Sequence, residues 1–473
     1  GPADSSLWTT AQNIDWEDTK IHPSRTGERA RRKARRKIVR MWETPELPFP
    51  AASRNYIAQI RKERRRIAVE RAKKSRFFAG KLDHINLDYV HEMEEWAKIP
   101  ILTKDELRII APEDFQDEFC ISPRTDTIEF WRSGGSTGKP LFYPRSMNDL
   151  RLAREGFRRA WAAADINKGD LAHVSFPLGI HPVGQVYCRT AQQMGIGVNW
   201  CGAGNSTPSE MQVELIRTLK PTVWCGMASY GLQLAQVADR MGFDLANSSV
   251  TKFMTAAEPV STSKRKRIES LWGAELYDAF GCTETSFMAS ESDQHDGMHF
   301  WTDMFDLEVI DESTKEPVAE GDTGIMVTTP YWNNEMTPFL RWETGDFVSY
   351  HDHGATEGPL AIYPMIRHAS RTAGFFKVRG ININHADFEE FMHLRLNIMD
   401  FKVEAEETES LDILRISIEV SNSFDMDALV AALREDVRKT FELTPEIAIL
   451  EIGSLEKELQ AQTKQQRFID KRG

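Results

Sequence analysis

The spacing of apolar and polar residues changes character along the chain. From about Arg25 to Trp96 it is helical, and around "RKERRR" the residues Ile60, Ile67, Ala68 and Val69 supply one apolar stripe between charges. "IPILTKDELRII" follows as an extended segment and a helix, with Thr103 as N-cap and Glu106 at the capping-box position. Between about 128 and 340 short apolar runs, "LAHVSF", "GIGVNW", "PTVWCG", "VTKFMTA" and "ELYDAF", read as buried strands. "EMQVELIRTL", "YGLQLAQVADRMG" and "STSKRKRIESLW" read as the helices between them. That alternation predicts an α/β architecture with parallel strands, whose ligands bind at the strands' carboxyl ends. After "RWETGDFVSY" the pattern becomes that of a compact α+β unit of about 100 residues. A boundary near Arg371 divides the chain into a tail (1–20), a large domain (21–371) and a C-terminal lid domain (372–473). The tail is polar and without period, which predicts loose order, and Gly1-Pro2 reads as a protease scar.

Charge and cysteine usage narrow the function classes. With a net charge of -12 over 473 residues, the molecule as a whole offers no basic surface for nucleic acid. Two basic runs, Arg25–Arg40 and Arg61–Arg66, depart from this, but no aromatic residue interleaves the first, so they read as solvated helix faces. Cys120, Cys188, Cys201, Cys225 and Cys282 form no CxxC and no paired Cys/His spacing, which argues for a reducing compartment and against structural zinc. No apolar stretch approaches the ~20 residues needed to span a bilayer. The expectation is a cytoplasmic protein with small-molecule substrates, no nucleic-acid or membrane partner, and a homodimer left open.

Four short segments carry the candidate chemistry. "SGGSTGKP" fails as a Walker loop, because Lys139 is followed by Pro140 and Ser133 stands where the first Gly belongs. It keeps glycines that let amides turn inward on an anion, hydroxyls at Ser133, Ser136 and Thr137, and one cation. In "YDAFGCTET" a strand ends at Phe280-Gly281 and presents Thr283 and Glu284, a carboxylate suited to Mg²⁺ beside a phosphate. "RWETGDF" holds Asp346 on a Thr-Gly turn, where a carboxylate can accept two hydrogen bonds from vicinal hydroxyls. "ASRTAGFFKVRG" places Arg371 at the presumed boundary and Gly380 on the smaller domain.

In this order the segments resemble the signatures of the adenylate-forming, or acyl-activating, superfamily, and specifically its phenylacetate-CoA ligase branch. "KPTVWCGMASY", "AAEP" (Ala256 to Pro259), "DGMHFWTD" and "TKQQRFID" add to the resemblance, which runs from about residue 97 to the end. It implies a large adenylating domain with parallel and mixed sheets flanked by helices, and a small mobile α+β lid. It implies ATP, Mg²⁺ and coenzyme A, with Ser133, Ser136, Thr137 and Lys139 on the β- and γ-phosphates, Thr283 on the α-phosphate and Glu284 on Mg²⁺. Ala257, Glu258, Pro259 and Phe280 would line the adenine slot, with Asp303 in the same ATP set, Asp346 on the ribose and Arg371 near the hinge. Lys464 would reach in from the lid toward the α-phosphate and the incoming carboxylate, where negative charge concentrates. Gly380 would pass the pantetheine arm.

The implied reaction is ATP-dependent activation of an aromatic or arylacetic acid through an acyl-adenylate, then transfer to coenzyme A. The alternative is transfer to a carrier protein or an amine. The acid pocket implied by the resemblance is lined by Phe142, Phe176, Ile180, His181, Ala203, Tyr230 and Ala256, an apolar and aromatic set suited to a flat acid.

Overall fold

A computed structural model describes residues 47–133, 141–352, 358–368, 374–379, 381–407, 412–420, 425–460 and 467–472. Helix α1 (Arg54–Ala72) buries Ile57, Ile60, Ala68, Val69 and Ala72, the stripe its spacing requires. The basic run on α1 is not simply a solvated face. Arg65 is buried and donates two hydrogen bonds, at 2.6 and 2.9 Å, to Asp306, while Arg64 lies over the Trp332 ring. The helical expectation fails from Lys73 to Glu92, where the described chain makes turns and one 3₁₀ segment (Arg76–Phe78). There Phe78, Leu82, Ile85 and Val90 serve as separate buried anchors with no helical period. Helix α2 (Lys104–Arg108) carries the expected capping box between Thr103 and Glu106.

Strands β1 (Glu129–Arg132) and β2 (Phe142–Arg145) pair antiparallel, and helix α3 (Met147–Ala163) follows. The main sheet has eleven strands. Its parallel half runs β4 (Gly197–Trp200), β3 (Leu171–Val174), β5 (Val223–Cys225), β6 (Lys252–Ala256), β7 (Glu275–Cys282), so all five expected strands are present and parallel. The crossovers are helices α4 (Pro182–Gln193), α5 (Ser209–Leu219), α6 (Ala228–Arg240) and α7 (Thr262–Trp272). These helices cover both faces: Met254 and Ala256 of β6 enter one core cluster and Phe253 another. Burial on two sides is why these strands read as continuous apolar runs instead of alternating ones. Beyond β7 the sheet turns antiparallel through β8 (Ser286–Ser290), β9 (Met298–Phe300), β13 (Met365–His368), β12 (Trp342–His351), β11 (Thr323–Pro330) and β10 (Phe305–Ile310).

The C-terminal elements enclose a core of their own. Strands β14 (Phe375–Val378) and β15 (Ile381–Asn384) form a hairpin, and β16 (Ile398–Glu407), β17 (Asp412–Val420), β18 (Glu446–Leu450) and β19 (Phe468–Asp470) form a sheet in the order 18-17-16-19. Helices α8 (His385–His393), α9 (Met426–Phe441) and α10 (Ser454–Gln460) complete it, and Phe376, Phe388, Phe401, Ile416 and Leu433 share one cluster. Among the described residues no helix is long and apolar enough to cross a membrane, and no disulfide forms.

Candidate functional site

Two of the expected segments, "AAEP" and "FGCTE", stand at the carboxyl ends of the paired strands β6 and β7. Beyond β6, Ala257 takes a left-handed backbone with φ 75° and turns the chain so that Glu258 points back to helix α6. Ser229, in the first turn of that helix, donates from Oγ to Glu258 Oε2 at 2.9 Å and from its amide to Oε1. The carboxylate thereby satisfies a helix N–H that has no partner within the helix. At the end of β7 the glycine of "FGCTE" is obligatory. A Cβ on Gly281 would sit 2.4 Å from the Ser286 carbonyl oxygen and 2.8 Å from Phe287 Cα, both backbone atoms of the returning strand.

The Thr283-Glu284 turn is held from below by a buried cation. Arg145, at the end of β2, donates from Nη2 to the carbonyls of Thr283 (2.6 Å) and Glu284 (3.0 Å), and from Nη1 to Thr337 Oγ1 (3.1 Å). Its guanidinium lies over the Trp131 ring, 4.7 Å from the centroid. Glu284 is itself buried, and its Oε1 accepts from the Tyr143 hydroxyl at 2.8 Å. Burial, and then the Glu284 carboxylate, hold the Tyr143 phenol well above its ordinary pKa, so it stays protonated and a donor. The Lys104 ammonium stands 3.9 Å from the same oxygen.

Asp346 joins this group from β12. Gly345 at φ 81° makes the turn, and Thr344 Oγ1 accepts the Asp346 amide at 3.1 Å. Burial raises the Cys282 thiol pKa, and the carboxylates of Glu284 and then Asp346 raise it further, so the charges of both acids are felt at the one sulfur from distant parts of the chain. Ser133 closes the base of the glycine-rich segment, its amide donating to Leu141 O (2.9 Å) and its Oγ accepting from Leu141 N (3.1 Å). Ser136, Thr137, Lys139, Arg371, Gly380 and Lys464 lie outside the described residues.

Several expected site residues are placed elsewhere. Asp303 is fully buried with both oxygens taken by Arg159 at 2.7 Å, which removes it from the nucleotide set. Phe280 is 6% exposed, packs its edge on His368 and belongs to the core around Met288 and Trp301, so it offers no open stacking face. Of the acid-pocket set, Phe176 and Ala256 are core residues, and Phe176 stacks on Tyr187 at 5.0 Å. Tyr230 is tied by its hydroxyl to Gln212 (3.0 Å) and Ser209 (3.2 Å) beneath the Cys201–Gly204 turn. Phe142 and Ile180 are instead exposed, with half-buried His181 against Arg132 and half-buried Ala203 on the turn after β4. Phe176, just beyond β3, and Ala256, at the end of β6, share one core cluster with Tyr187.

Three groups were missed by sequence reasoning. Arg145 and Lys104 act across long sequence separations, and the only local signal is the placing of Lys104 at the start of a helix, where the dipole disfavours a cation. Asp278 lies two residues before Phe280 on the same side of β7, and its buried Oδ1 has no hydrogen-bond partner. Burial, and then Glu291, raise its pKa, while Arg265 and His295 keep Glu291 ionised.

A model of the AMP-binding enzyme family matches residues 85–332, and a model of the AMP-binding enzyme C-terminal domain matches residues 380–472. Among curated proteins, the chain is similar to a phenylacetate-coenzyme A ligase of Thermus thermophilus, 26% identical over 76% of this chain and 80% of the relative. It is also similar to one of Pseudomonas putida, 29% identical over 63% of this chain and 66% of the relative. Among solved structures, a 2-hydroxyisobutyryl-CoA ligase in the postadenylation state superposes with a TM-score of 0.76 at 20% identity, over 91% of this chain and 95% of that one.

Proposed function

The chain belongs to the AMP-binding enzyme family and is an adenylate-forming ligase; from that premise we propose that it joins an aromatic or arylacetic acid to coenzyme A. The acid's carboxylate oxygen attacks the α-phosphorus of ATP, pyrophosphate leaves, and the acyl-adenylate forms. The thiol of coenzyme A then attacks the acyl carbon, AMP leaves with the electron pair of the broken C–O bond, and the thiol proton passes to solvent. The observation that carries the reading is the buried Arg145 fixing the Thr283-Glu284 turn at the end of β7, with the carboxylates of Glu284 and Asp346 both acting on Cys282 beside it. A carboxylate attacking a polyphosphate brings two anions together, so the site must aim cations and donors at that point.

In this reading Asp346 takes the ribose hydroxyls and residues 257–259 line the base. Ser133 pins the glycine-rich segment whose Ser136, Thr137 and Lys139 hold the β- and γ-phosphates. Mg²⁺ needs few protein ligands when it arrives with phosphates, and the buried, Tyr143-oriented carboxylate of Glu284 fits it; bound there it would neutralise phosphate charge. Lys104 is within reach of the same charge. The large domain ends near residue 371 and the lid carries Lys464 and Gly380. Support for an aryl acid comes from the two phenylacetate-CoA ligase relatives, and the exposed aromatic face of Phe130 and Phe142 agrees with it.

The test is a panel of phenylacetate, benzoate, 2-hydroxyisobutyrate, malonate and a fatty acid with Mg·ATP, measuring pyrophosphate with and without coenzyme A and identifying products by mass. An arylacetyl-CoA with AMP is expected. Turnover of 2-hydroxyisobutyrate alone would overturn the aryl assignment, and adenylate that no coenzyme A discharges would move the acceptor to a carrier protein or an amine.

A further inference from the structure

Lys264 has no local reason to sit where it does. It occupies the first turn of α7, where the unpaired N–H groups of a helix disfavour a cation, and it is 2% exposed. Two carboxylates hold it. Its Nζ lies 2.8 Å from Glu389 Oε1, on α8 of the C-terminal unit, and 3.5 Å from Glu258 Oε1, in the turn after β6. Burial works against the ammonium, but the two acids outweigh it and raise its pKa. Glu389 is held far below its ordinary pKa, the cation and then His393 overcoming burial.

The same end of α7 makes the neighbouring contacts. Ser263 donates from its amide to Glu390 Oε2 (3.2 Å) and from Oγ to the Glu390 carbonyl (3.3 Å), while Arg267 reaches the Ile398 carbonyl. Arg467, shortly after Lys464 in the sequence, is buried beside this group; it donates to Asp400, and the carboxylates of Glu389 and Glu258 both act on it. Arg467 therefore stands within the charge of Glu258, in the turn read as the nucleotide's lining.

We infer that Lys264 is a positioning residue that couples docking of the C-terminal unit to the nucleotide-lining turn, by sharing one buried cation between Glu389 and Glu258. When the unit is docked, Glu258 has half of that cation and half of its attention goes to α6 through Ser229. When the unit withdraws, Lys264 loses Glu389 and falls wholly on Glu258, changing the charge and the position of the turn. The turn thus reports whether the lid is in place, and the docked arrangement serves the half-reaction in which Lys464 acts. The inference rests on the ligase reading for its catalytic consequence, but the coupling itself is a property of the fold.

The experiment compares wild type, E389Q, K264M and K264R in two half-reactions and in amide exchange. Pyrophosphate–ATP exchange with phenylacetate reports adenylation, and thioester formation from supplied phenylacetyl-adenylate and coenzyme A reports the second half. E389Q and K264M should slow the first by about tenfold or more and leave the second within about twofold, with K264R restoring most of the loss. Amide exchange should quicken together in residues 385–393 and 257–260 of E389Q, by about tenfold. Equal loss in both halves would reduce Lys264 to a structural role, and unchanged protection of 257–260 in E389Q would overturn the coupling. Should wild type turn over no acid, the exchange measurement alone still decides: joint quickening upholds the coupling while the ligase reading fails, and independent behaviour of the two segments sinks it.

Discussion

Replacing Asp303 with Asn separates a structural acid from a nucleotide ligand. Asp303 and Arg159 are both completely buried, joined by two bonds at 2.7 Å, with Phe49, Trp301 and Tyr363 around the guanidinium at 5.1, 5.8 and 6.0 Å. In D303N the amide oxygen can accept only one of the two donors, and its NH₂ faces the other, so a full cation is left without its counter-charge. Removing one partner of a buried pair costs about 3–5 kcal/mol. Glu155, which accepts Arg159 Nε at 2.9 Å, retains part of the compensation and puts the expected loss at the lower end, about 3 kcal/mol. With a urea slope of about 3 kcal/mol per M, the midpoint followed by tryptophan fluorescence should fall by roughly 1 M. Substituting Arg159 with Met in the same chain as D303L removes the orphaned cation and should recover much of the loss. ATP affinity by calorimetry should match wild type in whatever fraction remains folded. A D303N protein with the wild-type midpoint and ATP binding weakened tenfold would refute the reasoning and return Asp303 to the nucleotide.

Three further substitutions or conditions test other parts of the site. D346A should weaken ATP binding by about 3 kcal/mol, on the order of a hundredfold, because two hydrogen bonds to a charged group are lost, and leave acid binding alone; an unchanged KM for ATP would remove Asp346 from the ribose. K464A should slow adenylation on the order of a hundredfold and spare thioester formation from supplied acyl-adenylate, and parallel loss of both would contradict its role. Burial lowers the pKa of His173, His299, His368 and His393 from 6.5 to about 4, so between those values the unfolded chain binds protons that the folded one refuses. Stability should therefore fall as pH drops from 6.5 toward 4, by up to about 3 kcal/mol for each group. H299Q should have a shallower fall of urea midpoint over that window than wild type, and identical slopes would show that His299 is not held neutral.

What the sequence made legible, and what it hid, follows from the range of the interactions. The five parallel strands and the crossover helices α5, α6 and α7 announce themselves because the strands are mostly apolar and these helices carry their own period, with a side-chain cap at Ser261 on α7; α4 is not among the helices expected from the sequence. The turns of the site are legible for the same reason: Gly281 and Gly345 are demanded by their immediate backbone, and a short motif records such a demand. Pairings between charges are different. Arg65 with Asp306, Arg159 with Asp303, and Lys264 with Glu389 join residues whose local surroundings say only that each is polar, so Arg65 reads as part of a solvated face and nothing marks Arg159 or Lys264 until the fold buries them. The one trace they leave is misplacement: Lys104 and Lys264 each stand in the first turn of a helix, where the dipole argues against a cation. A lysine at such a position is held there by acids from elsewhere, and in this chain those acids are Glu284 for the first and Glu258 with Glu389 for the second. Lys104 thus marks the turn after β7 and Lys264 the turn after β6, two sites that no motif names by its lysine.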